Sequence, residues 1–451
     1  MKNILVIGAG LSASTLIKYL LDHAVEYDWQ ITIADKNFDT ANAKVADHPR
    51  GNAIAFDVFD KGQCWDEVSK ANLVVSMLPA SMHGLVATDC VKLGKPMVTA
   101  SYVSDSIKAL DAEAKKAGVL LLNEIGVDPG IDHMSAMRVI DELKNDGHEI
   151  TSFRSFTGGL VAPKYDNNPW NYKFTWAPRN VVLAGQGTAQ IIINGMYKYI
   201  PYYKLFSRLL RVHVLDYGEF EAYMNRDSLK YRSIYGLEKI PTMVRGTLRR
   251  PGFSKSWNIF VQLGMTDDTY TLENSENMSY GDFIETFLRF HPELTLEQNV
   301  AQYLGLEEDS MPMYRLRWLG FFNGKKKIGL KNATPAQILQ KLLEEKWKFE
   351  KDDRDMIVMQ HQFGFLEKDH KRKIVSSMVV EGDDHTHTAM SKTVGLPVAI
   401  AVKNILNGKL NLSGVHIPTQ KEIYVPVLDE LENYGIKFIE EEMDVEDSLR
   451  Y

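Results

Sequence analysis

Cysteine is nearly missing: two residues, Cys64 and Cys90, in a chain of 451. That excludes a disulfide framework and a zinc cluster built on thiols, and it suits a reducing, cytoplasmic compartment. A basic excess is missing too. Lys plus Arg total 52 against 59 Asp plus Glu, a formal charge of −7, which argues against a general nucleic-acid binder. No long hydrophobic run occurs. The apolar opening stretch, residues 3–17, is uncharged for 15 residues, short for a membrane span. Its glycines fall where a nucleotide-binding turn needs them, so it is read neither as a span nor as a secretory signal. Internal repeats and low-complexity linkers are also lacking. What is present is an ordinary globular composition, 45% hydrophobic and 25% charged, with 19 Phe, 20 Tyr and 7 Trp to fill a core. At roughly 150 residues per domain, the length predicts two to four units.

The first third alternates short apolar runs with helical segments. Residues 4–7, 31–34, 73–76, 96–99 and 119–122 read as strands buried on both faces, and 14–21 and 105–116 as helices. Strands separated by helices indicate a parallel sheet with crossover connections. Near residue 130 the texture changes. Residues 150–270 are rich in Tyr, Trp, Pro and Gly, with strand candidates at 150–156 and 257–263. Residues 283–290, 296–304 and 334–346 have helical spacing, and Lys325-Lys326-Lys327 reads as a solvated loop. Segments 355–360 and 373–380 look like paired strands, and 389–406 like a helix broken at Gly395 and Pro397. The fold class is therefore α/β: a Rossmann-type parallel-sheet domain over 1–130, completed by 388–451. An α+β substrate-binding and dimerisation domain with a mixed sheet covers 131–275 and 350–387, and a helical insert covers 276–349.

Gly8-Ala9-Gly10-Leu11-Ser12-Ala13 is a G-x-G-x-x-A turn between the first strand and the first helix. Gly8 permits the tight turn, Gly10 lets a pyrophosphate approach the backbone, and Ala13 still allows close helix–strand packing. The helix N-terminus offers N–H groups and a positive dipole end to phosphate. Asp35 stands 22 residues after Ala13, at the end of the second strand, where a carboxylate accepts hydrogen bonds from an adenosine ribose and repels a 2′-phosphate. That favours NAD; Lys36 partly offsets the repulsion, so NADP stays open.

Several stretches together carry a more specific signal. They are Ser76-Met77-Leu78-Pro79-Ala80-Ser81-Met82-His83, Thr99-Ala100-Ser101-Tyr102-Val103, and Asn123-Glu124-Ile125-Gly126-Val127-Asp128-Pro129-Gly130-Ile131-Asp132-His133. Gly158-Gly159-Leu160, Asn168 to Arg179 with its Trp176-Ala177-Pro178, Asn225-Arg226-Asp227-Ser228, Arg245-Gly246-Thr247-Leu248-Arg249, Asp353-Arg354-Asp355-Met356 with Met359-Gln360-His361, and Met390-Ser391-Lys392-Thr393-Val394-Gly395-Leu396-Pro397 extend it. This pattern resembles the saccharopine dehydrogenase family, in its glutamate-forming branch, and spans nearly the whole chain, with no matching segment near 270–350. The resemblance implies hydride transfer from the secondary amine of saccharopine to a nicotinamide, followed by imine hydrolysis. It implies substrate contacts at Ser101, Tyr102, Asp128, Trp176, Arg226, Thr247 and Arg249. Cofactor contacts would fall on Gly8, Gly10, Leu11, Ser12, Ala13, Asp35, Lys36, Asp57, Met77, Leu78, Pro79, Ser101 and Val103. A homodimer is expected, with no nucleic-acid or membrane partner and no metal.

The chemistry is consistent with those residue types. Saccharopine carries three carboxylates, and guanidinium groups such as Arg226 and Arg249 pair with carboxylates in bidentate forks. Tyr102 and Asp128 lead as acid–base groups, ahead of Asp132 and His133. The family pattern has a cysteine before Gly158, where Thr157 stands here, so catalysis cannot rest on that thiol. Blander readings stand beside these. Asp132 could cap a helix, Trp176 could be core, and Arg226 could pair only with Asp227. His385 and His387 beside Asp383 and Asp384 form the single metal-like cluster, without a further ligand group to complete a structural site. Two alternatives remain: a related imine reductase acting on a carboxylated polyamine, and a non-catalytic nucleotide sensor.

Overall fold

The computed structural model describes residues 1–444; the part of the expected 388–451 segment that falls on 445–451 lies outside them. The chain divides into two compact units. Unit 1 comprises Met1–Ile150, Ile234–Gly236 and the chain from Arg354 onward; unit 2 comprises Thr151–Ser233 and Leu237–Asp353. Residues 131–150 and 354–387, grouped by sequence with the substrate domain, thus fall in unit 1.

Unit 1 holds a seven-stranded sheet. Its spatial order is Gly414–His416, Leu120–Leu122, Met97–Val98, Leu73–Ser76, Lys2–Ile7, Trp29–Asp35 and Gly51–Ala55, and every pairing is parallel. The central strands form because their side chains are apolar on both faces. Ile4, Leu5, Val6, Ile7, Val74 and Val75 are all at most 2% exposed. Cys64 and Cys90 are free thiols in the apolar layer beneath this sheet. Burial pushes the Cys64 thiol up to about 12, so it stays protonated and inert. The expected 105–116 helix is two, Asp105–Lys108 and Asp111–Ala117, the first capped by the Ser104 hydroxyl.

Ala389–Leu406 is one continuous helix, not the broken one that Gly395 and Pro397 suggested. Gly395 serves packing: a Cβ there would lie 2.8 Å from the backbone nitrogen of Leu16, so the helix runs backbone against backbone along Ser14–Asp22. The Asp355 carboxylate receives the amides of Ala389 (2.6 Å) and Met390 (3.0 Å) at its N-terminus. By length and composition this helix could cross a membrane, yet 72% of it is buried inside the protein. The expected paired strands are Asp355–Glu367 and His370–Glu381, antiparallel with Met359 opposite Met378, and Ile439–Asp444 extends them.

Unit 2 carries the mixed sheet. Leu209–His213, Glu219–Met224 and Thr242–Arg249 are successively antiparallel, whereas Thr242–Arg249 runs parallel to Glu149–Val161. Ala189–Ile193 and Met196–Ile200 form a side hairpin. Residues 257–263, expected as a strand, lie in the helix Phe253–Leu263, closed by left-handed Gly264. The aromatic and β-branched composition favours a strand locally, but Phe253, Trp257 and Phe260 recur at helical spacing and bury together. They join Trp170 and Trp347 in an aromatic core, with ring centroids 5.2 Å apart for the last two. The expected 283–290 helix is instead Tyr280–Glu285, started by a Ser279–Asp282 capping box, and Phe290 is 81% exposed. Leu296–Leu304 and Pro335–Lys346 match expectation, and Met311–Leu319 adds another helix.

Candidate functional site

In unit 1 the chain runs from Lys2–Ile7 outward to one edge of the sheet and from Leu73–Ser76 outward to the other. The topological switch therefore lies between these two strands, where parallel α/β sheets bind ligands at their carboxyl ends. The glycine turn leaves Lys2–Ile7 at that point. Gly8 has φ +104°, and a Cβ on it would meet the Met77 carbonyl at 2.7 Å, so Met77 lies against the turn. Gly10 is different: nothing lies within 4 Å of where its Cβ would be. That open space, at the positive end of the helix dipole, fits the pyrophosphate of a dinucleotide.

Asp35 reaches the same turn. Its carboxylate accepts the Ala9 amide at 2.8 Å and the Asn37 amide at 2.9 Å. Lys36 is exposed, and Lys44 is half-buried with its ammonium on the Ser14 hydroxyl. Burial pulls the Lys44 amine below its ordinary value, and no carboxylate pairs with it among the described residues. Asp57 is exposed, its carboxylate turned to the Phe59 amide.

Residues 101–103 follow the Met97–Val98 strand, and all three are half-buried. They are held from both ends by groups whose roles sequence reasoning did not assign. His83 Nε2 lies 2.7 Å from Ser101 Oγ and its Nδ1 2.8 Å from Ser76 Oγ. Glu124 accepts the Val103 amide on one carboxylate oxygen (3.0 Å) and holds His133 Nε2 on the other (2.9 Å), while His133 Nδ1 lies 2.8 Å from the Tyr235 hydroxyl. Tyr235 is 102 residues from His133, so no local spacing could have signalled this network. Asp128 is half-buried on the segment leading to the Ile131–Asn145 helix. Asp132 is 1% exposed and turns back to accept the Gly130 amide at 2.6 Å. His387 Nδ1 faces the Thr15 hydroxyl at 3.4 Å, and among the described residues no group of three metal-ligating side chains forms.

Unit 2 brings together a second set. Thr247 lies opposite Thr157 and Tyr223, and Arg249 opposite Glu221, across neighbouring strands. Arg249 is 4% exposed, with Tyr172, Phe253 and Tyr223 ring centroids 5.1, 5.4 and 5.8 Å from its guanidinium carbon. One guanidinium nitrogen donates to the Leu248 carbonyl, Nε has no partner, and no carboxylate pairs with the group among the described residues. A buried cation without a counter-ion is costly, and an anionic ligand group relieves that cost. Thr157 Oγ1 is likewise buried without a partner. Trp176 is half-buried rather than core. Arg226 is exposed, with φ +46°, and forms no ion pair among the described residues. Asp227 does not neutralise it, since its carboxylate accepts the Leu229 amide.

Sheet order, glycine turn and switch-point geometry define a dinucleotide-binding α/β protein with a second, mixed-sheet unit. The chain belongs to the saccharopine dehydrogenase family. The family model for the saccharopine dehydrogenase NADP binding domain matches residues 4–122, and that for the saccharopine dehydrogenase C-terminal domain matches residues 126–436. The second match runs through the helices near 270–350, where the sequence motifs had found no counterpart. Saccharopine dehydrogenase (NADP+, L-glutamate-forming) of Schizosaccharomyces pombe is 32% identical, covering 99% of this chain and all of that protein. The Saccharomyces cerevisiae protein of the same name is 32% identical over 96% of this chain and 98% of its own length. Mitochondrial alpha-aminoadipic semialdehyde synthase of Rattus norvegicus is 33% identical, with this chain spanning 47% of it. Among solved structures, apo saccharopine dehydrogenase (L-Glu forming) from S. cerevisiae superposes with a TM-score of 0.89 at 30% identity, covering 98% of this chain and 100% of that one. Homospermidine synthase from Legionella pneumophila, at TM-score 0.54 and 10% identity, shares the fold alone.

Proposed function

We propose that this chain is an L-glutamate-forming saccharopine dehydrogenase that works with NADP(H). The observation that carries the reading is Arg249, a buried guanidinium with no carboxylate partner among the described residues, in a chain whose relatives carry that name along its full length. A tricarboxylate substrate supplies the missing anion. Arg226, exposed and without an ion pair among the described residues, takes a second carboxylate; Thr247 offers a hydroxyl, and Trp176 an apolar wall.

At the adenosine end, Asp35 spends hydrogen-bonding capacity on two loop amides, while Lys36 and the uncompensated Lys44 supply positive charge. That balance favours a 2′-phosphate over a bare ribose, although NAD fits the turn as well. Gly8, Gly10, Leu11, Ser12 and Ala13 hold the pyrophosphate, and Met77, Leu78, Pro79, Ser101 and Val103 line the path beyond it. A bound nicotinamide would supply the hydride acceptor for the amine-bearing carbon that becomes the aldehyde. Asp128 holds a substrate ammonium. Tyr102 and Asp128 move the remaining protons: one leaves the amine nitrogen as it becomes an imine, and both protons of the added water pass to nitrogen, one as the carbinolamine forms and one as its C–N bond breaks. L-Glutamate and 2-aminoadipate 6-semialdehyde depart, and the reverse condensation and reduction use the same groups. Thr157 supplies no thiol, so the rate rests on holding donor carbon and acceptor together among oriented charges.

Free, buried cysteines suit a reducing cytoplasmic setting. The Met196–Ile200 edge strand exposes Met196, Tyr197 and Tyr199 by 50–59%, which supports a homodimer formed through unit 2. The test of function is steady-state turnover of saccharopine with NADP+ and NAD+ in parallel, the aldehyde being trapped. Reduced nucleotide with a preference for NADP+ is expected. Nucleotide binding without turnover would replace the reading with a sensor.

A further inference from the structure

Ser76, His83 and Ser101 form a chain of hydrogen-bonding groups whose protons can be assigned. Ser76 is fully buried, His83 is 1% exposed, and the Ser76 hydroxyl has His83 Nδ1 as its one partner among the described residues. Burial pulls the His83 imidazole down to about 4, so at neutral pH the ring is uncharged, with one N–H and one lone pair. Two tautomers are available. With hydrogen on Nδ1, the ring donates to Ser76 and the Ser76 hydroxyl proton is buried with no acceptor, which is costly. With hydrogen on Nε2, Ser76 donates to Nδ1 and the ring donates to Ser101 Oγ. Every buried proton then has a partner, and the Ser101 hydroxyl proton is left over.

We propose that His83 is a positioning residue that fixes the half-buried Ser101 hydroxyl as a hydrogen-bond donor to an acceptor oxygen of the bound ligand. That oxygen belongs to a substrate carboxylate or to the carboxamide of the nicotinamide; both accept only. The opposite tautomer would turn a Ser101 lone pair toward such an oxygen and repel it. His83 acts through Ser101 and touches no reacting atom. The inference deepens the functional reading above and rests on it for the identity of the ligands.

Three variants test it. Ser101→Ala should lower kcat/KM about tenfold, the loss of one hydrogen bond of roughly 1.4 kcal/mol. His83→Asn, whose short amide reaches Ser76 but not Ser101, should lose about as much. His83→Gln, whose longer amide places an N–H near the site of Nε2, should regain most of it. The Ser101→Ala/His83→Asn double variant should be no worse than Ser101→Ala, because both remove the same interaction. A rise in KM for saccharopine assigns the oxygen to the substrate carboxylate, and a rise in KM for nucleotide assigns it to the carboxamide. Wild-type kinetics in His83→Asn, or losses that multiply in the double variant, would overturn the proposal. Nitrogen-15 NMR of histidine-labelled protein with NADP+ bound reads the tautomer without any substitution. A pyridine-like Nδ1 and pyrrole-like Nε2 support the relay, and the reverse sinks it. Because that spectrum needs no turnover, a protein inactive on saccharopine would refute the function and still leave the relay decided.

Discussion

Arg249 concentrates the energetic argument at the scale of single residues. Its cation is removed from water, ringed by Tyr172, Phe253 and Tyr223, and lacks a compensating carboxylate among the described residues. Arg249→Gln should therefore raise the KM for saccharopine at least about tenfold, the worth of a charge-assisted hydrogen bond, with the nucleotide KM within about twofold. The same split is expected for Arg226→Ala, in smaller measure because that side chain is exposed. Initial-rate kinetics with both substrates varied measure it; equal rises in the two KM values would remove both arginines from the substrate site. The glycine turn and Asp35 were legible in the sequence because their chemistry is local, a strand end, a turn and a helix start. His83, Glu124 and Tyr235 were not. Their meaning lies in which partner each meets, and those partners come from separate strand ends and from a segment 102 residues away.

Elements assemble here by burial more than by local preference. Parallel strands such as Lys2–Ile7 announce themselves as unbroken apolar runs, since both faces are covered. Gly51–Ala55, at the sheet edge and half-exposed, carries no such run and was missed. Residues 257–263 read as a strand because aromatic and β-branched residues dominate them, and the tertiary core around Trp170 and Trp347 overrides that preference within the helix Phe253–Leu263. Ala389–Leu406 holds its course through Gly395 because close contact with Leu16 needs that residue. Gly395→Val should cost about 1–3 kcal/mol through overpacking and lower the thermal midpoint. The same variant should weaken nucleotide binding, since the Ser14–Asp22 helix it displaces begins at the glycine turn. An unchanged midpoint and unchanged nucleotide affinity would show that the two helices are not constrained at this contact.

For the whole molecule, a net charge of −7 and two free cysteines describe the partners only broadly, and the family assignment narrows them to a nucleotide and an amino-acid derivative. Light scattering should give twice the 51.2 kDa chain mass, and Tyr197→Glu with Tyr199→Glu should shift it to the single-chain value; a monomeric wild type would remove the dimer. The reading as a whole requires that hydride leave one particular carbon of saccharopine. With both hydrogens on the carbon that becomes the aldehyde replaced by deuterium, one should be recovered on the reduced nicotinamide and the other on the aldehyde carbon, with one L-glutamate released per hydride transferred. Reduced nicotinamide without deuterium, or a nucleotide that binds beside saccharopine and remains oxidised, would contradict the account.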